Sequence, residues 1–349
     1  MPPTFIAELA AVGALAPSAD NAQPWHLTWN GKTLAISYAK RHAATNVFSA
    51  RSHATLMGIG AVAENLDMAL GANGLQGSWD WSTDQRQPYG AVALNGLPAT
   101  FTTPEGPQSR HTNRLAFGRQ KLPVEMVARV GACREGGNRI AILQDPTARA
   151  ALVRLVRISS EARFCNHDLH KWLFGSLRYT PAEVARGDGL DMDSLGLPLG
   201  GRSMLGFISD WGRMRTLNRF GAYKLLARSE VGLIAAAPAL LCVIGPADSA
   251  GTIGAGRLLT RAWTELNLGG VAVQPYYVVT DQLNRLHEGT LAVGFDAQVK
   301  AVERQLQTLL GLAQWEKLHM ILRVGYPKAA PVRSRRLALV SVFTDTSGA

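Results

Sequence analysis

The sequence is poor in the features that mark several large protein classes. Its three cysteines, Cys133, Cys165 and Cys242, are an odd number without Cys-x-x-Cys spacing. That speaks against a disulfide framework and a cysteine-built zinc site, and suits buried or incidental thiols in a reducing, cytoplasmic setting. Charged residues make up only 18% of the 349, against 47% hydrophobic, which excludes a disordered chain and leaves ample material for a core. No run of about 18 uncharged apolar residues occurs, so no membrane-spanning helix is expected. There is no Lys or Arg before Lys32, and Glu8 interrupts the first apolar stretch, so no secretory signal is expected. Nucleotide and hydrolase signatures are missing as well. Gly58-x-Gly60 lacks a third glycine and an acidic residue about twenty positions on, and no Walker loop, HExxH or GxSxG is found. His167 and His170, three apart around Asp168, supply too few ligands for a metal and read as surface histidines.

Acidic side chains are the scarcer charge: 26 against 36 basic ones, a net +10. The excess is uneven, with −2 over residues 1–109, +9 over 110–230 and +3 over 231–349. Arginine outnumbers lysine 28 to 8, and its planar fork suits bidentate contact with phosphate or carboxylate. Composition alone leaves two readings open, a nucleic-acid surface or internal sites for phosphorylated small molecules.

The length suggests about two domains, and the pattern along the chain is α+β. Apolar spacing predicts a helix over Phe5–Leu15 that stops before Pro17. Strands are expected at His26–Trp29 and Thr33–Tyr38, joined by the hairpin signal Asn30-Gly31, and further strands at Ser78–Trp81 and Gly90–Leu94. Residues 58–74 read as a buried helix with Gly74 as its C-terminal cap. A connector spans Pro98–Pro107. After it come a helix at Val124–Cys133, a strand at Arg139–Leu143, a long helix near Thr147–Phe164, strands at Ala239–Ile244 and Leu318–Val324, and a second buried helix over 254–270. Residues 175–215 lack sustained periodicity and read as a lid-like insertion, extending to about 175–230. Within and beside it Trp172, Phe174, Leu195, Leu197, Phe207 and Trp211 are expected to be buried. Gly58-Ile59-Gly60 and Gly254-Ala255-Gly256 each open a helix closed by a glycine, Gly74 or Gly270, and the two sets are offset by 196 residues. That repeat suggests a duplicated fold about a pseudo-twofold axis.

The most specific segment is Ala16-Pro17-Ser18-Ala19-Asp20-Asn21-Ala22-Gln23-Pro24-Trp25, whose short polar side chains between two prolines suit a planar polar ring. It resembles the signature of the nitroreductase-like FMN flavoproteins. Arg110-His111-Thr112-Asn113-Arg114 is similar to the family's Arg-x-Ser/Thr-x-Arg motif, the two glycine-flanked helices to its dimer-interface helix, and Arg323–Pro327 with Arg333, Arg335 and Arg336 to its C-terminal strand and basic loop. The resemblance covers most of the chain outside 175–230. In ordinary members the arginine motif precedes the Pro-Ser motif in one short chain, and two chains pair. Here each half carries only one of the motifs, which implies one complete site across an internal pseudo-dimer, as in the Acg-like and ThiF-associated branch. The halves are then 1–108 and 109–349, the second holding the insertion.

The resemblance implies roles. Arg110 and Arg114, with one or more of Arg333, Arg335 and Arg336, hold the FMN phosphate; Thr112 meets the ribityl or pyrimidine edge. Pro17, Ser18, Ala19 and Asn21 line the dimethylbenzene and ribityl side, and backbone near Gln274, Pro275 and Tyr276 faces the reactive edge of the ring. No catalytic side chain is named, and no metal is expected. The expected activity is FMN-dependent hydride transfer from NADH or NADPH to a small-molecule acceptor, with two competitors: a flavin-sequestering protein, and an oxidase or dehydrogenase of a biosynthetic intermediate. The expected state is a monomeric pseudo-dimer or a homodimer, without a nucleic-acid or membrane partner.

Overall fold

The computed structural model describes residues 4–42, 47–82 and 87–348. The class is α+β, as expected, built on two five-stranded sheets. The first part of the chain runs α1 (Phe5–Ala14), β1 (Trp25–Trp29), β2 (Thr33–Tyr38), α2 (His53–Ala72), β3 (Ser78–Trp81), β4 (Gly90–Ala93) and α3 (Glu105–Ser109). There follow α4 (Val124–Ala132), β5 (Arg134–Glu135), β6 (Asn138–Leu143), α5 (Pro146–Phe164), α6 (His167–Ser176), β7 (Leu177–Arg178), α7 (Pro181–Val184) and β8 (Leu190–Asp191). Three helices come next, α8 (Gly201–Ile208), α9 (Trp211–Arg219) and α10 (Ala222–Ala235). The chain ends with β9 (Ala239–Pro246), α11 (Ser249–Leu268), β10 (Ala272–Tyr276), α12 (Val278–Glu288), α13 (Asp296–Leu310), β11 (Glu316–Gly325) and β12 (Phe343–Asp345).

The strand sequences dictate how each sheet is covered. In β1 the alternation Trp25, Leu27, Trp29 puts every second side chain in the core, the pattern of a sheet buried on one face. In β9 a continuous apolar run is buried throughout, because its sheet is covered on both faces. Leu241 and Val243 pack toward α4 and α11, while Leu240, Cys242 and Ile244 pack among residues of α5, α12 and α13.

Both sheets are wired alike. The first has the order β12-β1-β2-β4-β3 and the second β5-β6-β9-β11-β10. Each long helix, α2 or α11, enters the edge strand of its sheet (β3 or β10), and the strand beside that edge follows antiparallel (β4 or β11). Both helices are 20 residues long, and the 196-residue offset of the glycine motifs maps one onto the other end to end. Their caps match too. Leu75 N donates to Leu70 O at 2.9 Å and Val271 N to Leu266 O at 2.9 Å, with Gly74 and Gly270 at φ +69° and +72°, a left-handed cap that favours glycine. Where the first sheet turns from β1 to β2 through Asn30-Gly31, the second inserts α5 through α10 between β6 and β9. The end of the chain returns to the first sheet: β12 lies parallel to β1, so its last strand comes from beyond residue 109. Among the described residues no helix is long and apolar enough to cross a membrane.

Candidate functional site

A cavity of about 810 Å³ is lined by residues from the start of α2, from α11, from β10 and α12, and from the α5–α10 region. Four segments wall its polar side: the 17–21 turn, residues 110–114, the stretch 274–278 from the end of β10 into α12, and the tail at 333–336. All of the residues expected at the site line it except Arg335, which is exposed and contributes its carbonyl to the framework instead.

The 17–25 turn is strained and heavily tied. Asp20, Asn21 and Gln23 have φ of 45°, 56° and 51°, a region in which each non-glycine residue costs on the order of 1–3 kcal/mol. Hydrogen bonds hold it there. Ser18 Oγ accepts from Gln23 N at 2.9 Å. Gln23 Nε2 donates to Gly187 O at 2.9 Å, and Gln23 Oε1 accepts from Leu337 N at 3.1 Å. Asn21 Nδ2 donates to Gly187 O and Arg335 O, and Asn21 Oδ1 accepts from Arg336 Nη1 at 2.8 Å. The side-chain amides of this motif therefore clamp the turn, the insertion and the C-terminal tail together. Gly187 is glycine for two reasons: its φ is +81°, and a Cβ there would collide with the Arg336 carbonyl.

Residues 110–114 lie against β10, where Thr112 bridges Val273 and Asn113 N donates to Val273 O at 2.9 Å. Arg323, fully buried in β11, braces the segment from below. Its Nη2 donates to Asn113 O at 3.1 Å and Leu115 O at 2.7 Å, and its guanidinium lies 3.7 Å over the Phe117 ring. Burial pushes Arg323 down to about 10.

The charge at one end of the cavity is unbalanced. Arg110, buried and 5.0 Å over the Trp263 ring, donates to Leu15 O; Arg336 Nη2 donates to the same oxygen at 3.2 Å. Arg333 reaches only carbonyls, those of Gln108, Ser109 and Arg110. None of the three meets a carboxylate among the described residues, and Arg110 Nε and Arg336 Nε are buried without a partner. Burial, then the neighbouring guanidiniums, holds Arg110 well below the usual arginine range; burial and Arg333 bring Arg336 down to about 10. Buried charge without a counterion is costly, so this end is complementary to an anion. Gln274 Oε1, also on the wall, is a further buried acceptor without a donor. Burial moves the Tyr276 phenol up to about 12.

The other end is apolar and lined by Trp172 and Phe174 of α6 and by Leu195, Leu197, Leu205 and Ile208 of the 175–230 segment, among others. The burial expected of Trp172, Phe174, Leu195 and Leu197 is found at least in part. Phe207 is a correction: it is 53% exposed, because Ile208, one position on, takes the inward stripe of α8. The expectation of surface histidines holds for His167, whereas His170 is buried with Nε2 2.9 Å from Ile208 O.

Several site residues carried no one-dimensional signal. Asp20, a spacer in the motif, is half-buried and accepts from Trp172 Nε1 at 2.8 Å; desolvation raises its carboxyl against the pull of Trp172, Arg114 and Arg163. Tyr277 lines the cavity and continues inward, with its hydroxyl 3.0 Å from His53 Nδ1 and His53 Nε2 2.9 Å from His319 Nδ1. These residues come from elements far apart in sequence, so spacing could not reveal them.

No family model matches the chain. It is 22% identical over 354 aligned positions to an uncharacterized protein of Mycobacterium tuberculosis, covering 96% of this chain and 48% of that protein; the chain thus spans about half the length of this relative. Among solved structures it is similar to the FMN-dependent nitroreductase NfnB of Mycobacterium smegmatis in complex with NADPH, at 16% identity and TM-score 0.39, covering 66% of this chain and 91% of that one. It is also similar to a nitroreductase with bound FMN from Bacteroides fragilis, at 12% and 0.34, covering 68% and 96%. Oxidized iodotyrosine deiodinase bound to FMN and 3-iodo-L-tyrosine gives 15% and 0.35, covering 67% and 94%. At TM-scores below 0.5 these are partial likenesses.

Proposed function

We propose that the chain is an FMN-dependent oxidoreductase, two nitroreductase-like halves sharing one flavin site, with NADH or NADPH as donor and a small, largely apolar acceptor. The observation that carries this reading is the trio Arg110, Arg333 and Arg336 at one end of the cavity, two of them with buried, unpartnered Nε atoms and none with a carboxylate. A phosphate monoester fits that end, since its oxygens accept from several guanidinium N–H groups at once. Thr112 and Gln274 offer polar side chains further along the wall, and Pro17 and Ala19 a flat apolar one.

FMN held there would supply two-electron redox chemistry between a nicotinamide donor and an acceptor. The chain's own part is to bind and orient. Arg110 and Arg336 fix the anion, and Arg323 keeps the 110–114 segment in place from behind. Pro275 has no amide hydrogen, so a backbone donor toward the ring from this stretch must be Gln274 or Tyr276. The insertion excludes water from the apolar end, where an acceptor without strong polar groups is favoured.

A second reading, flavin sequestration, is favoured by the clamp on Gly187, which ties the insertion to the turn through both Asn21 and Gln23. Titration of the purified chain with FMN, followed by anaerobic addition of NADH and then NADPH, separates the two. Binding with bleaching of the flavin absorbance is expected. Binding without bleaching by either donor leaves sequestration, and no binding overturns the flavin site itself.

A further inference from the structure

The helices that roof the cavity turn a second stripe outward. In α8, Leu205 and Ile208 line the cavity, while Met204 and Phe207 are 48% and 53% exposed. In α10, Leu226 and Leu233 line it, while Leu225 is 68% exposed. Phe220, at the end of α9, is 86% exposed, and Leu199, just before α8, is fully so. Basic side chains are interleaved with them. Residues 199–228 contain Arg202, Arg213, Arg215, Arg219, Lys224 and Arg228 against the single acid Asp210. All six are exposed. Arg202 pairs with Asp193, but the other five have no carboxylate partner among the described residues. Arg213 instead covers Phe207, its guanidinium 5.2 Å from the ring centre.

Exposed apolar side chains interleaved with unpaired cations along three successive helices mark a docking surface. A second copy on this face would oppose like charge to like charge. A nucleic acid would answer the arginines but leave Leu199, Met204 and Leu225 in water, with no aromatic row on which bases could stack. An anionic bilayer answers both, with phosphates at headgroup depth and acyl chains beneath. We propose that the outward face of α8, α9 and α10 docks on an anionic lipid surface, with the basic side chains among the headgroups and Leu199, Met204, Phe207, Phe220 and Leu225 in the acyl boundary. This departs from the expectation of no membrane partner, and it accounts for much of the basic excess in 110–230 that the cavity leaves unused. It involves outward side chains only and stands whether or not the cavity holds a flavin.

Sedimentation of the full chain with vesicles tests it. Binding is expected to phosphatidylcholine vesicles containing phosphatidylglycerol and not to phosphatidylcholine alone, weakening as salt rises. The double variants Arg215→Glu/Arg219→Glu and Phe220→Ser/Leu225→Ser should each bind at least about tenfold more weakly, with melting temperatures like that of the parent. Should a double variant fail to fold, Leu199→Ser in the preceding loop supplies the apolar arm and Arg215→Glu alone the charged one. Absence of binding to anionic vesicles, equal binding by the variants, or a dimer that these substitutions dissolve would each overturn the proposal. So would RNA binding that the charge reversal abolishes while vesicle binding persists.

Discussion

Gly60 of α2 and Gly256 of α11 meet each other's helices in the same way. A Cβ on Gly60 would collide with the Ile253 carbonyl, and a Cβ on Gly256 would collide with the Met57 carbonyl. The 196-residue offset carries Gly60 to Gly256 and Met57 to Ile253, so one contact becomes the other, the reciprocity an isologous interface has in a two-chain dimer. Arg257 and Arg261 secure the crossing: Arg261 reaches Glu64 at 2.6 Å and Glu135 at 2.9 Å, and Arg257 reaches Asp67 at 2.6 Å.

The two backbones can lie this close only without side chains at those positions. Gly60→Ala and Gly256→Ala should each destabilise by about 3 kcal/mol, since overpacking against backbone has no easy relief. Gly71→Ala, in the same helix with open space around it, should be neutral or stabilise by up to about 1 kcal/mol. Thermal melts of the three variants make the comparison, and equal effects would refute the close crossing.

Arg110→Ala should weaken FMN binding about 100-fold, the order expected when one partner of a buried charged pair is removed. Arg215→Ala, on the exposed face of α9, should leave it unchanged. Without ligand, Arg110→Ala should melt little lower than the parent, because the loss of its contacts with Leu15 O and Trp263 is offset by removal of a buried charge that has no carboxylate partner. Isothermal titration and melting curves check both halves of the expectation.

Gln23 joins three distant pieces of chain. Gln23→Leu takes the acceptor from Leu337 N and leaves Gly187 O with Asn21 as its remaining side-chain donor, and should cost about 1–3 kcal/mol. Limited proteolysis should then cut first in the tail near Leu337 or around Gly187. A variant as resistant as the parent would show that the clamp holds nothing.

The His53–His319 pair predicts an acid-side loss of stability. Burial, with Lys317 beside them, lowers both imidazoles, His319 to about 3, against 6.5 when unfolded. Between those values the unfolded chain binds protons that the native chain does not. Stability should therefore be full above about pH 6.5 and fall as pH drops toward 3, by on the order of 1 kcal/mol per pH unit for each histidine. Melting temperatures measured from pH 7 to 4 should show the slope, and His319→Gln should reduce it.

Most local structure was legible in the sequence. The alternation Trp25-His26-Leu27-Thr28-Trp29, the apolar run of β9 and the glycine-flanked helices each bury the surface that their pattern presents. The ten-residue turn motif marked the cavity wall without any structure, as did the arginines at 110 and 114. Other features were decided only in three dimensions. In α8 two apolar stripes compete, Met204 with Phe207 and Leu205 with Ile208, and periodicity cannot say which faces inward because the partner surface lies elsewhere in the chain. The same holds for Asn21: its sequence context suits a ligand contact, yet its amide is taken by Gly187, Arg335 and Arg336. Whether a guanidinium is paired or left bare depends on what packs against it from hundreds of residues away. Strands and helices with a clear period could be read from neighbours in the chain, whereas α12, α13 and β12, and the places where unpaired charge and apolar surface collect, emerge only in the assembled molecule, because burial is a property of the whole.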